Sequence, residues 1–171
     1  MATQLWQFQP LGAVRPHGRP DLSVILPDLL VGEYPHPDDV AWLHATHGVT
    51  SVLCLQDDAD LASKAIRLGD LAMAYQRVGV GFDHLPVPDC DLDTFAVRID
   101  AIVVRLHELL GAGERVYVHC NAGMNRAPTV AVAYLHCHRG LSLDAARDWV
   151  KQRRACVPYM TLLESRYQAS R

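Results

Sequence analysis

Residues 116–129 read VYVHCNAGMNRAPT and combine, in order, the signals of a buried strand, a short loop and the start of a helix. The apolar run before His119 is typical of a strand that is covered on both faces. Pro128 suits the first turn of a helix, where a missing N–H costs nothing. The loop between them would turn its backbone amides inward. Together with the positive end of the helix, these amides would form an anion-binding cradle.

Two side chains define the chemistry of this cradle. Cys120 lies at its base, where inward amides and a helix N-terminus favour the thiolate, which is the nucleophilic form of cysteine. Arg126 adds a planar fork that can hold two phosphate oxygens at once, which a lysine cannot do. No other cysteine of the chain is followed by an arginine at the sixth position after it. The segment therefore predicts nucleophilic attack on a phosphate ester.

The order of His119, Cys120, Ala122-Gly123 and Arg126 resembles the active-site signature of the cysteine-dependent phosphatases, in their dual-specificity branch. The resemblance implies a two-step mechanism through a phosphocysteine, with Cys120 as nucleophile and without metal or cofactor. It implies that His119 supports the loop by hydrogen bonds. The phosphate-binding positions that it implies are Asn121, Ala122, Gly123, Met124, Asn125 and Arg126.

The same resemblance requires a general acid about thirty residues upstream of the cysteine, and residues 84–91, HLPVPDCD, supply a candidate. Expelling an alkoxide or phenoxide from phosphorus requires a proton at the leaving oxygen. In the resembling enzymes an aspartate on a mobile loop delivers this proton and later activates the attacking water. Asp89 is assigned to this role and Asp91 is the second choice. Asp91 and Asp93 also suit the N-cap of the helix that follows.

Apolar periodicity predicts strands that alternate with helices. The predicted elements are a strand ending at Gly32, a helix from residues 37–39 to Gly48, a strand at 49–55, a helix at about 60–78, a strand at 82–87, a helix from Phe95 to Gly111, a strand at 115–119, a helix at 127–138, and helices from near Ser142 and Tyr159. This α/β pattern, with the resemblance, predicts a single-domain cysteine-phosphatase fold with a mainly parallel central sheet and helices on both faces. Ligands bind at the carboxyl ends of such strands, where Cys120 and Asp89 both fall.

Length and composition predict one globular domain, since the chain has 171 residues, 50% hydrophobic and 20% charged. Residues 1–20 contain three prolines and two glycines and are expected to form an irregular arm ahead of a catalytic domain at 21–171. The five cysteines form no disulfide framework, which indicates a reducing compartment. Neither a leader nor a membrane span is recognisable, so a cytoplasmic protein is expected.

The net charge of −3 supplies no basic field for nucleic acid or an anionic membrane, and neither is an expected partner. Arg147, Lys151, Arg153 and Arg154 are interpreted as the solvated face of a helix. His136 and His138 point to different faces of one helix and have no further ligands at a suitable spacing, so no metal site is predicted.

The loop also bears on the substrate. Apart from Arg126 its residues are uncharged, which disfavours polyphosphorylated inositol substrates. Over about residues 22–165 the likeness is closest to the glucan-phosphatase branch, of the plant starch phosphatase and laforin type, through Ala127-Pro128 and the segment LCLQDDAD at 53–60. Asn125 departs from the glycine of that group, and the chain is too short for the carbohydrate-binding module of most members.

Three functions remain open. The first is a dual-specificity-type protein phosphatase acting on phosphotyrosine and phosphoserine or phosphothreonine. The second is a phosphoglucan phosphatase, and the third is a phosphate-binding pseudophosphatase. The expected partner is accordingly a phosphorylated protein or a phosphoglucan.

Two further predictions concern departure of the sulfur, through Ala127 and Thr129, and a disulfide of Cys90. Ala127 stands where most dual-specificity enzymes have Ser or Thr, whose hydroxyl assists departure of the sulfur, and Thr129 could supply that hydroxyl from one turn further on. Cys90 could form a protective disulfide with Cys120 under oxidation, as in some members of the family, although apolar packing is the usual role of cysteine.

Overall fold

The structure, a computed structural model, describes residues 18–168. One five-stranded sheet lies at its centre, in the order β1-β2-β5-β3-β4. The strands are β1 (Leu22–Leu26), β2 (Leu29–Gly32), β3 (Ser51–Cys54), β4 (Gly81–His84) and β5 (Val116–His119). Strands β2 to β5 are mutually parallel, and β1 pairs antiparallel with β2 at one edge. The predicted, mainly parallel sheet is confirmed.

Seven α-helices lie within the described residues. They are α1 (Val40–His47), α2 (Asp58–Ser63), α3 (Leu68–Arg77), α4 (Leu92–Gly111), α5 (Arg126–Arg139), α6 (Leu143–Lys151) and α7 (Met160–Tyr167), and a short 3-10 turn (Pro37–Asp39) precedes α1. None of the described helices is long and apolar enough to span a membrane.

Two apolar cores lie on opposite faces of the sheet, because successive side chains of a strand point to opposite sides. Val116 and Val118 of β5 belong to the core that α4, α5, α6 and α7 cover. Tyr117, between them, belongs to the core beneath α1, α2 and α3. Helices therefore cover both faces, as predicted, and the strand that leads to Cys120 is buried on both sides.

The helix starts near the site are fixed by side-chain caps. Asp57 accepts a hydrogen bond from the backbone N–H of Asp60 at 2.8 Å and begins α2. Asp91 accepts from the backbone N–H of Thr94 at 2.9 Å and begins α4. The predicted N-cap role of Asp91 is confirmed. Such caps satisfy amide groups that a helix leaves without an internal partner.

Two differences from the sequence prediction stand out. Strand β1 was not predicted, and the single helix expected at about 60–78 is divided into α2 and α3. The division falls at Lys64-Ala65, where Ala65 has a positive φ of 54° that no α-helix contains. As a separate helix, α2 brings Asp60 to the carboxyl end of the sheet. Residues 1–17 of the expected irregular arm lie outside the described residues.

Candidate active site

Cys120, Arg126 and Asp89 meet at the carboxyl end of the sheet. Cys120 directly follows β5, Arg126 is the first residue of α5, and Asp89 lies in the loop after β4. The Nε atom of Arg126 lies 3.4 Å from Oδ1 of Asp89. The side chains differ in exposure, since Cys120 and Arg126 are 3% and 2% exposed and the Asp89 side chain is 53% exposed.

The five carbonyl groups of residues 121–125 all accept hydrogen bonds that orient the loop. The donors are Tyr34 N to Asn121 O at 2.9 Å, Arg154 Nη2 to Ala122 O at 3.1 Å, Arg154 Nε to Gly123 O at 2.6 Å, Val157 N to Met124 O at 2.8 Å, and Thr129 N to Asn125 O at 2.9 Å. A trans peptide points its N–H opposite to its carbonyl. The amides of residues 122–126 therefore face the interior of the loop, an arrangement that binds anions.

The loop packs directly against the end of β2, at a pair of glycines. A Cβ atom on Gly123, whose φ is +63°, would lie 2.5 Å from the backbone carbon of Gly32. A Cβ atom on Gly32 would lie 2.6 Å from the Tyr117 hydroxyl. Both distances are shorter than any real Cβ contact. Gly123 therefore allows the loop to approach the strand this closely, and Gly32 leaves room for the Tyr117 side chain beside β2.

Arg126 is held by a carboxylate that the sequence analysis did not assign. Its Nη1 donates to Asp60 Oδ2 at 2.6 Å and to the carbonyl of Val87 at 2.8 Å. Burial disfavours the charged guanidinium, but the hydrogen bond to Asp60 and the negative charges of Cys120, Asp60 and Asp89 outweigh burial and raise the pKa of Arg126. The guanidinium is thus fixed and charged before any phosphate arrives.

The side chain of Asn121 belongs to the same network. Its Nδ2 donates to Asp60 Oδ1 at 2.5 Å, and its Oδ1 accepts from Gln56 Nε2 at 2.7 Å. Gln56 is in turn held by His84, whose Nε2 lies 2.7 Å from the Gln56 carbonyl oxygen. Asn121 therefore orients the loop through its side chain. Gln56 and Asp60 lie in the segment 53–60 quoted for its family resemblance, which was the only sequence signal for them.

The loop that carries Asp89 is less firmly held at its tip. Cys90 has a positive φ of 60°, one of two such non-glycine residues among those described, and its N–H donates to Asp89 Oδ1 at 3.2 Å. Asp91 instead accepts from both the hydroxyl and the N–H of Thr94, and these bonds lower the pKa of Asp91. Asp91 is thus occupied as a helix cap, whereas Asp89 faces Arg126.

The other predicted residues near the cradle are accounted for as follows. His119 is fully buried, with Nδ1 3.2 Å from the Cys120 carbonyl oxygen. The Thr129 hydroxyl donates to the Asn125 carbonyl at 2.7 Å, so its one proton is not available to the Cys120 sulfur. Cys90 is an exposed free thiol and Cys120 a buried one, and a disulfide between them stays a prediction.

The interpretation of the basic cluster as a solvated face is wrong for Arg154. Helix α6 ends at Lys151, and the chain turns back so that Arg154 is 5% exposed and contacts the loop. Helical periodicity gives the direction of a side chain only within a helix, and Arg154 lies beyond the end of α6. Asn125 also contacts this returning segment, since its Nδ2 donates to the Val157 carbonyl at 2.8 Å. Among residues 18–168, no three His, Cys, Asp or Glu side chains form a group that could hold a metal.

Known proteins share both the sequence pattern and the fold. Residues 43–168 match the family model of the dual specificity phosphatase catalytic domain. The chain is 33% identical over 147 residues to the amyloplastic phosphoglucan phosphatase DSP4 of Castanea sativa, covering 84% of this chain and 39% of that protein. It is 29% identical to dual specificity protein phosphatase 2 of Homo sapiens, covering 78% of this chain and 38% of that protein.

The chain therefore spans about two fifths of the length of these two curated relatives. Among solved structures, Tk-PTP in its active form superposes with a TM-score of 0.71 at 23% identity, covering 86% of this chain and 96% of that one. This similarity shows that the two chains share a fold.

Proposed function

Because the chain belongs to the dual-specificity phosphatase family, we propose that it hydrolyses phosphate monoesters through a phosphocysteine, as a dual-specificity-type protein phosphatase. One observation carries the proposal. All five carbonyls of the loop between Cys120 and Arg126 accept hydrogen bonds from its outer side. The loop amides therefore converge where a phosphate group would lie. Such fixed donors stabilise the charge of the transferring phosphoryl group without reorganisation during the reaction.

In the first step, the Cys120 thiolate attacks phosphorus and the bond between phosphorus and the leaving oxygen breaks. The loop amides and Arg126 hold the other phosphate oxygens. Asp89 gives its proton to the leaving oxygen, which departs as an alcohol or phenol. The 3.4 Å separation of Asp89 Oδ1 from Arg126 Nε supports this role, because it brings the acid to the rim of the cradle.

In the second step, the ionised Asp89 takes a proton from a water molecule, whose oxygen attacks the phosphorus of the phosphocysteine. The phosphorus–sulfur bond breaks and Cys120 leaves as the thiolate, so that inorganic phosphate forms and both residues regain their starting states. His119 supports the cradle from behind by its buried ring. The five free thiols support the reducing, cytoplasmic location that we propose with this activity.

A second candidate, phosphoglucan hydrolysis, is favoured by a separate observation. The relative with 33% identity is named a phosphoglucan phosphatase, and residues 121–125 carry no charge that would select an acidic peptide or a further phosphate. The chemistry would be the same, and only the group that carries the phosphate would differ. The partner that we propose is therefore a phosphorylated protein, with a phosphoglucan as the alternative.

The proposal is tested with an aryl phosphate and the variants C120S and R126K. We expect C120S to lose turnover but to retain vanadate binding, since the amides and Arg126 remain. R126K should lose both, because a single ammonium cannot reproduce the fork. C137S, which changes an exposed cysteine outside the site, is the matched control and should behave as wild type. Full turnover by C120S would overturn the cysteine mechanism.

The substrate is tested with one enzyme preparation on a phosphopeptide set and on a solubilised phosphoglucan. Faster phosphate release from phosphopeptides supports the protein-phosphatase proposal. Faster release from the glucan favours the second candidate. Vanadate binding without turnover of any substrate would identify a pseudophosphatase and overturn both.

A further inference from the structure

We infer that Arg154 is a positioning residue for the cradle, which holds the middle of the loop in its phosphate-binding conformation. The inference rests on the proposed function, because the cradle is taken to receive a phosphate group. Arg154 lies 28 residues after Arg126, beyond the end of α6, and its guanidinium is almost completely buried behind the loop.

The contacts of Arg154 fix two consecutive peptides. Its Nε donates to the Gly123 carbonyl at 2.6 Å, and its Nη2 donates to the Ala122 carbonyl at 3.1 Å. These peptides carry the N–H groups of Met124 and Gly123, which must therefore point into the cradle. The other three loop carbonyls are held by a backbone N–H of Tyr34, Val157 or Thr129. Arg154 thus supplies, from one side chain, two of the five orientations.

The remaining donors of Arg154 anchor it to the start of β1. Its Nη1 lies 3.3 Å from Ser23 Oγ and 3.2 Å from Asp21 Oδ2, whose side chain is 66% exposed. Burying a guanidinium is costly unless its nitrogens have partners, and here each of the three nitrogens has one, on the loop side or on the β1 side. Strand β1 therefore contributes to the cradle although none of its residues reaches the loop interior.

Removal of Arg154 frees the peptides at the point where the backbone is most adaptable. Gly123 has no side chain to restrict rotation, so the carbonyls of Ala122 and Gly123 could turn inward once their donors are lost. A carbonyl oxygen in the cradle would repel the phosphate that an N–H attracts. Lysine cannot replace the arginine fully, because one ammonium group cannot donate to two carbonyls in the fixed plane of the fork.

The experiment compares wild type with R154M, R154K and R153M. Arg153 is the matched control, since it is the adjacent arginine but is exposed and lies over the ring of Trp149. Three quantities are measured well below the unfolding temperature. They are the vanadate dissociation constant, the rate of Cys120 alkylation by iodoacetamide at mildly acidic pH, and kcat and KM for an aryl phosphate.

For R154M we expect a loss of about 100-fold in kcat/KM, as for an active-site displacement of about 1 Å, with weaker vanadate binding and slower alkylation. R154K should retain part of each property and R153M all of them. If R154M unfolds, R154K and the conservative R154Q provide the same comparison. A variant of Arg154 that is less stable but binds vanadate and is alkylated as wild type would overturn the inference.

Equal losses in R153M would also overturn it, because they would indicate a general effect of positive charge in this segment. Vanadate binding and alkylation need no turnover. Failure of the proposed function, seen as wild-type enzyme without hydrolysis, is therefore distinguishable from failure of the role of Arg154.

Discussion

The cradle loop, residues 120–126, and the acid loop, residues 85–91 with Asp89, lie side by side but are held very differently. In the cradle, every carbonyl of residues 121–125 is hydrogen-bonded, and Arg126 is buried against Asp60. In the acid loop, the backbone N–H groups of Leu85 and Val87 donate to the carbonyls of Cys54 and Leu55. Beyond Val87, the Asp89 side chain is half exposed and Cys90 has a positive φ. In the proposed mechanism, the groups that bind the phosphate are thus held by the fold. The proposed proton donor, Asp89, is by contrast a group that solvent can reach.

The largest effect should come from G123A, which changes a residue of the fixed loop itself. The added methyl would overlap Gly32 and Arg154 and would impose a positive φ on alanine. Displacement of several amides should lower kcat/KM for an aryl phosphate by about 1,000-fold. Vanadate titration should show the same loss of affinity. Wild-type binding by G123A would contradict the rigid cradle.

The next effect concerns the identity of the acid. D89N should lower kcat by about 100-fold for substrates with poor leaving groups, and much less for activated aryl phosphates, because only the former need the proton. It should also flatten the pH–rate profile between acidic and neutral pH. D91N is the control, since asparagine still caps a helix. If D91N shows this leaving-group dependence and D89N does not, the assignment of Asp89 is wrong.

A third variant tests whether the strained tip of the acid loop matters. C90G removes the cost of a positive φ in a residue with a side chain, and should change the free energy of unfolding by only about 0.5 kcal/mol. A more flexible backbone beside Asp89 should slow alkyl phosphate hydrolysis about threefold. A65G changes the other described non-glycine residue with positive φ and should leave this rate unchanged. Equal rates for all three proteins would show that the tip needs no fixed conformation.

A variant of Ala127, at the junction of the cradle with α5, tests how fast the phosphocysteine breaks down. The Ala127 side chain is fully buried and the Thr129 hydroxyl is committed to Asn125, so neither residue offers a proton to the departing sulfur. We expect a pre-steady-state burst of phenol with activated aryl phosphates. A127S should raise the steady-state rate about fivefold with little change in the burst rate. Without a burst in wild type and without a gain in A127S, breakdown of the phosphocysteine is not limiting.

The smallest effect is a pH dependence of stability at the base of the acid loop. Hydrogen bonds from Thr94 lower the pKa of Asp91, so its carboxylate stabilises the fold above its unfolded pKa of about 3.9. This contribution is lost as the pH falls through the lower, folded pKa. D91N still caps α4 but does not titrate, so its unfolding temperature should be slightly below that of wild type near pH 7, with the difference vanishing in acid. A difference independent of pH would contradict the lowered pKa of Asp91.

The cradle itself was predictable because its signals lie within fourteen consecutive residues. A buried strand, a loop cysteine and a helix start with proline fix the direction of Cys120 and Arg126 without help from distant parts of the chain. Helix α4 was found by its period of apolar residues, and the cap at Asp91 by its residue type. The mainly parallel direction of the strands and the helices on both faces followed from the alternation of strands with helices and from the family resemblance.

The parts that were missed depend on contacts between distant residues. Asp60 meets Arg126 across 66 positions, and no local pattern marks an aspartate in a capped helix as the partner of an arginine. Arg154 was misassigned because helical periodicity was extended three residues past the end of α6. Strand β1 was missed because its continuous apolar run is only three residues long, Val24 to Leu26, and because it lies at a sheet edge, where only Ile25 is buried.

The hydrogen bonds that close the cradle also bear on the order of folding. Asn121 is held by Tyr34, 87 positions earlier, and Met124 by Val157, 33 positions later. Contacts of such separation form late, since a long segment must first be closed into a loop at an entropic cost. The cradle can therefore be complete only after both flanks of the domain have docked. The recovery of activity during refolding would therefore report the docking of both flanks and not merely the formation of the strand and helix that carry the cysteine and the arginine.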